Sequence, residues 1–302
     1  MNKKLFFPII ILLAFSFSAC KKDRIEKSMN EFEDLNDYMN LKKQEEQTFL
    51  IDSNGTGPII GNQGTKIWIS KECLQTMDGN EISWPYIVKL VELYTPADMI
   101  YWQMPSVSTN GILQTEGEVR LRAFKDNNEL KLKPLPCKCI VEMPSNEPKN
   151  FMSVYYGFET NNRPNWTKSL AQLGINPPTA EWFAPTDTGH IGEIGKLGWI
   201  ACDTLVGSNS GATVNFVSTT DYLDNVGIFI YFPNTKTIMQ VYDQASSPIP
   251  NGSSVKIICF AQKSDGSLYH FYSTAIINGN MEIMVEMQEI SDPALTSLLN
   301  LL

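Results

Sequence analysis

The chain has 302 residues, with 24 lysine and arginine side chains against 33 aspartate and glutamate, for a formal net charge of −9. An acidic balance of this kind is repelled by phosphate and excludes the basic footprint of a nucleic-acid-binding protein. An apolar content of 43% supports packed cores, and the length suits two domains of ordinary size.

Lys3 and Lys4 precede an apolar run of 13 residues, Leu5 to Phe17. A helix crossing hydrocarbon needs roughly 20 apolar residues and a signal-peptide core about 7 to 15, so residues 1–19 read as an export signal and not a span. Pro8 weakens the run further as a helix. Phe17-Ser18-Ala19-Cys20 resembles a bacterial lipobox, with Phe17 standing where that motif usually carries a leucine-like residue. The resemblance implies cleavage before Cys20 and lipid on its thiol. Several acyl chains hold a protein durably where one holds only marginally, so Cys20 is the expected lipidation site and the membrane the expected partner. Lys21 replaces the acidic residue that retains many such proteins at the inner membrane, which favours the outer membrane. The plainer alternative is a secreted protein cleaved after Ala19.

Residues 20–47 are highly charged and free of glycine and proline. Ile25, Met29, Phe32, Leu35 and Met39 recur at helical steps. The stretch reads as a partly helical, mostly solvated tether; a helix packed on the protein itself or on a partner is the alternative. From Thr48 the pattern turns to short β runs: "TKIWIS", "YIVKLVELY", "GEVRLRAF", "ELKLKP" and "CKCIVEM". "DNNE" at 126–129 predicts a turn between two alternating strands, with Val119, Leu121 and Ala123 facing in and Glu118, Arg120 and Arg122 facing out. No segment has the length of a βαβ crossover, which argues against a parallel doubly wound sheet.

The region 146–194 is punctuated by prolines and reads as a structured connector with one strand, "FMSVYYGFE", and one short helix, "WTKSLAQLG". Seven strand-like runs follow over 195–290, the spacing of a sandwich or barrel. Asp292 and Pro293 then open a short C-terminal helix over 291–302. The expected fold is mostly β: two β-sandwich-like domains in tandem, at 48–145 and 195–290, behind the lipidated tether.

Besides Cys20 there are five cysteines: Cys73, Cys137, Cys139, Cys202 and Cys259. Two thiolates at Cys137 and Cys139 would need two further ligands for zinc, and His190 and His270 lack ligand-like spacing. The alternation Cys137, Cys139, Val141, Met143 predicts one strand face with the cysteines as reduced core residues, and no metal. Neither the Gly207–Gly211 segment nor the glycines between 189 and 195 has the setting of a nucleophile elbow or a dinucleotide loop. Two histidines give little support to a triad, so the expectation is no enzyme and no cofactor.

The stretch from Gly64 through the strand to Ile69, Asp78-Gly79, the strand ending at Glu92, Asp98-Met99, and Gly117 through Phe124 resembles a ZU-five-type β-sandwich of bacterial surface lipoproteins. Distant relatives of that domain occur in ankyrins and netrin receptors. "LGWIACD" at 197–203 resembles a motif that follows the domain in those lipoproteins. The resemblance implies a fold and a surface location and carries no catalytic motif. Some distant relatives cut themselves at His-Phe-Ser, but this chain reads His270-Phe271-Tyr272-Ser273, which displaces the serine by one residue onto the other strand face.

The expected function is therefore a membrane-anchored, non-catalytic binding or adhesion module for protein or glycan. A structural subunit of an envelope assembly is the alternative, and the oligomeric state is left open. The best candidate binding residues are Tyr101 and Trp102, in what reads as a long connection over 96–111, joined by Trp84 and Tyr86 around Pro85. Aromatic rings near strand ends also cap sandwich cores, and that alternative stands beside the first.

Overall fold

The computed structural model describes residues 29–302, apart from residues 56, 135, 174–181 and 208–209. The export signal at 1–19 and Cys20 lie outside the described residues. The protein is mostly β, as its composition of short alternating runs predicts. Helix α1 (Asn36–Lys42) leads into β1 (Gln47–Ile51), β2 (Ile59–Ile60), β3 (Lys66–Ile69), β4 (Leu74–Thr76) and β5 (Tyr86–Leu93). Helix α2 (Pro96–Trp102) is followed by β6 (Val107–Ser108), the long β7 (Gly111–Lys125), β8 (Asn128–Leu132) and β9 (Cys139–Pro144). Next come β10 (Met152–Thr160), β11 (Arg163–Thr167), β12 (Trp182–Thr186), β13 (Gly189–Ile194) and β14 (Gly198–Leu205). The chain closes with β15 (Val214–Val217), β16 (Gly227–Phe232), β17 (Thr237–Val241), β18 (Ser254–Gln262), β19 (Leu268–Ile276), β20 (Met281–Met284), β21 (Gln288–Ile290) and α3 (Asp292–Asn300).

The main sheet runs β1-β5-β7-β14-β10-β12-β13-β9-β3-β2, with every neighbour antiparallel. It curls over one core: Ile67 of β3 and Val141 of β9, near one end of this path, share an apolar cluster with Leu90 of β5 and Leu121 of β7, near the other. Val119, Leu121 and Ala123 point into that core, as the alternation predicts. The β7–β8 hairpin turns on Asp126 and Asn127, both at positive φ, the conformation of a two-residue hairpin turn.

A second sheet, β17-β16-β18-β19-β21, is apolar on both faces. Ile228, Ile230 and Ile257 share a core with Phe216 of β15 and with Val285, just past β20; β15 and β20 are the one parallel strand pair among the described residues. Phe229, Tyr231, Ile258 and Phe260 point the other way, onto the three helices and the outer face of the main sheet. That second contact changes several readings.

Residues 29–47 are not a solvated tether: Phe32, Leu35, Tyr38 and Met39 are buried, and Tyr38 and Lys42 bind Asp292 at the start of α3. Their apolar stripe is covered because the second sheet needs a lid on that face. The connector at 146–194 supplies β10 to β13, all members of the main sheet, and its expected helix is a short 3-10 turn, Leu170–Leu173. The "LGWIACD" strand, β14, pairs with β7 and β10 and not with the strands that follow it. Glu118, expected in solvent, is fully buried. Between Thr115↔Asp203 and Glu118↔Ala201, β7 has two residues where β14 has one, a bulge built on Gly117 at φ +136. A side chain there would strike the Tyr94 ring at 2.3 Å.

The cysteines divide. Cys139, Cys202 and Cys259 are buried and free, the state expected of them. Cys137, by contrast, forms a disulfide with Cys73. It precedes the first residue of β9, so the strand alternation that buries Cys139 does not govern it.

Candidate binding cleft

The two ends of the main sheet, β1 and β2, each pair on one side only among the described residues. They do not pair with one another, and a seam is left between them. One end of the seam is shut by polar contacts around Glu92, the penultimate residue of β5. Gln47 Nε2 donates to its carboxylate at 2.7 Å, and the backbone N–H groups of Gln63 and Thr65 donate at 2.9 and 3.0 Å. Asn62 N–H donates to Gln47 Oε1 at 2.8 Å, tying the β2–β3 turn to β1. A Cβ on Gly61 would lie 2.6 Å from the Glu92 carboxylate, so the tight turn and the buried acid require one another.

Away from this clamp the strands splay, and a cleft of about 830 Å³ opens between them. Its apolar lining comes from Phe49, Ile51, Ile59, Ile69, Trp84 and Tyr86. The Trp84 and Tyr86 rings lie 5.2 Å apart, and the Tyr86 hydroxyl donates to the Ile69 carbonyl at 3.2 Å. Burial, with smaller contributions from Cys139 and Glu72, pushes the Tyr86 phenol up to about 12, so this ring is a neutral wall. Leu50 and Ile60 stand on the rim with 70% and 58% of their surface in solvent. Lys71 and Glu72, beside the Cys73–Cys137 bond, form the far rim.

The four aromatic residues singled out in the sequence fall in two places. Trp84 and Tyr86 belong to this cleft, Trp84 half-buried and Tyr86 with its ring in the wall. Tyr101 and Trp102 do not lie in a surface connection. They end helix α2, where Thr95 caps the Asp98 N–H and Pro96 occupies the first turn. Tyr101 is buried among the helices, and Trp102 packs edge-on against Trp199 at 5.6 Å with the Lys43 ammonium over its ring. These rings join the two sheets. The edge strands escaped notice in the sequence, although "TFLI" and "PII" around the Asp52–Gly55 turn carried the signal of two short strands.

Among the described residues no group of three or more histidine, cysteine, aspartate or glutamate side chains has a metal-binding arrangement. His190 is fully buried, its Nε2 3.0 Å from the Lys149 backbone amide nitrogen, and burial holds its imidazole below the usual range. No helix is long and apolar enough to cross a membrane among the described residues. Compared with known proteins, the chain matches no family model, no curated protein and no solved structure.

Proposed function

We propose that this is an envelope lipoprotein, held at the outer membrane through lipid on Cys20, whose tandem β-sandwich-like body is a non-catalytic binding module. The ligand on this reading is an extended segment of another protein, laid into the seam between β1 and β2. The observation that carries it is the seam itself: two adjacent strand edges, each with one row of backbone groups unpaired, above an apolar cleft. Exposed edges of this kind are normally blunted by charge, proline or a bulge, and a protein that leaves one beside a cleft has a template for strand addition. β1 carries Thr48, Phe49, Leu50 and Ile51, with no charge among them.

The Cys73–Cys137 bond supports the export part of the reading, because disulfides persist in oxidising compartments. The likeness to ZU-five-type surface lipoproteins rests on the strand and turn pattern of residues 64–124 and supports the same location. A glycan ligand is less well served, since the rings in the cleft are half-buried or buried and present little open face.

One preparation tests both parts. A photo-cross-linking residue is placed at Leu50, with the exposed Leu41 as control position, and native envelopes are fractionated after irradiation. The protein is expected to sediment with membranes and to form an adduct from position 50 and not from 41. Release of the Cys20→Ser variant from membranes is the accompanying expectation. Equal sedimentation of that variant removes the anchor, and equal adducts from both positions remove the seam.

A further inference from the structure

The contact between the two sheets holds a group of buried acids that the proposed function does not use. Glu118 on β7 and Asp203 on β14 are both fully buried on the face of the main sheet that meets the second sheet. The Gly117 bulge brings Thr115, Glu118 and Asp203 to that one face. Glu118 Oε1 accepts a hydrogen bond from Ser106 Oγ at 3.0 Å and its Oε2 has no partner, while Asp203 makes no well-formed hydrogen bond and has only the Thr115 hydroxyl near it.

The cations nearest the pair are engaged elsewhere, Lys149 and Lys236 with Glu116 and Lys168 over the Tyr155 ring. Glu116, also on β7, acts on Asp203 as a carboxylate, paired with Lys149 at 2.8 Å and Lys236 at 3.7 Å and accepting from Ser145 Oγ at 2.8 Å. His190 lies near Glu116 and is neutral by burial. From β10, Tyr155 faces Asp203, and its phenol is raised to about 12 by burial and then by that acid. Neither lysine forms an ion pair with Glu118 or Asp203.

A carboxylate with at most one hydroxyl near it and no counter-ion is too costly to keep in an apolar contact, whereas a carboxylic acid is tolerated. We propose that the packing of the second sheet on the main sheet is proton-linked: Glu118 and Asp203 keep at least one proton between them while the sheets are closed, and release it to water when the contact opens. Burial raises Glu118 well above the usual carboxylate range, and the Asp203 charge adds to this. Burial likewise raises Asp203 to about 8, with the Glu116 charge adding and the Thr115 hydroxyl opposing.

The direction follows from linkage. Between the ordinary carboxylate range and pH 8 the closed state binds a proton that the open state does not, so opening becomes easier as pH rises. Above that window Asp203 is ionised in both states and its share of the dependence ends.

Ser106 N–H donates to the Ile238 carbonyl and Thr115 N–H to that of Thr235, so these two amides report opening of the contact directly. Their hydrogen exchange, divided by the intrinsic rate at each pH, gives the opening constant. It is expected to rise at least about tenfold per pH unit between roughly pH 5 and 8 in the wild-type protein. Asp203→Asn combined with Glu118→Gln is expected to remove that rise. An opening constant independent of pH, or the same slope in the double variant, overturns the proposal. Should the variant not fold, the infrared band of a protonated carboxyl in the wild-type protein at pH 7 decides: its presence supports the proposal and its absence overturns it.

Discussion

Glu92 and Asp203 are both fully buried acids on the same curled sheet, and the molecule treats them in opposite ways. Glu92 sits at the closed end of the seam with three donors on its carboxylate, two of them backbone N–H groups of one tight turn. Asp203 sits in the contact between the sheets with no well-formed hydrogen bond, only the Thr115 hydroxyl near it. The first acid organises a turn and holds two strands at a fixed spacing. The second contributes nothing of that kind and makes the contact sensitive to protons. Burial alone therefore does not say what a carboxyl does; the donors around it decide.

The comparison is most directly broken by substitution. Glu92→Ala leaves the buried N–H of Thr65 without its acceptor, at about 1 to 3 kcal/mol, and removes the acceptors of Gln63 N–H and Gln47 Nε2 nearer solvent, so a loss of about 2 kcal/mol or more is expected. Asp203→Asn disturbs at most the loose Thr115 contact and is expected to cost far less at pH 7. Urea unfolding of both variants at that pH measures the difference, and equal losses would erase the distinction.

The disulfide sharpens the same contrast from the other rim of the cleft. Cys73 and Cys137 are 64 residues apart, and their bond ties the 3-10 turn at Lys71–Cys73 to the start of β9. Replacing both by serine is expected to lower stability by about 2 to 4 kcal/mol. Peptide mapping without reduction should recover the 73–137 pair, with Cys139, Cys202 and Cys259 as free thiols. A stability loss within error, together with free Cys137, would leave the rim held by packing alone.

Much of the fold was legible because one face of each strand meets one core. Val119, Leu121 and Ala123 obey simple alternation, and the C-terminal helix announces itself through Asp292 and Pro293. The outer face of the main sheet was not legible. Glu118 looks like a solvent residue on its own strand, and what buries it is a sheet more than a hundred residues later in the chain. The bulge at Gly117 adds a local shift of face that alternation does not announce.

Helix α2 was legible in principle. Thr95, Pro96 and Asp98 form a helix start, but framing prolines and aromatic rings at 96–111 suggested a surface connection instead. Tyr101 and Trp102 were thus placed at the surface while they pack between the sheets. Trp84 and Tyr86 were named on their own residue type, and the cleft they line depends on β1 and β2 failing to pair, which no local pattern reveals.

The central claim is that the seam binds an extended peptide. Leu50 and Ile60 are exposed there, so Leu50→Lys with Ile60→Lys should leave the unfolding midpoint within about 0.5 kcal/mol of wild type. Peptides are selected from a displayed random library on the wild-type protein, and their affinity for both proteins is measured by calorimetry. Extended, alternating apolar sequences are expected, which bind the wild-type protein and lose binding to the double-lysine variant. Selected peptides that bind both proteins equally, or a library that yields no binder, would contradict the claim.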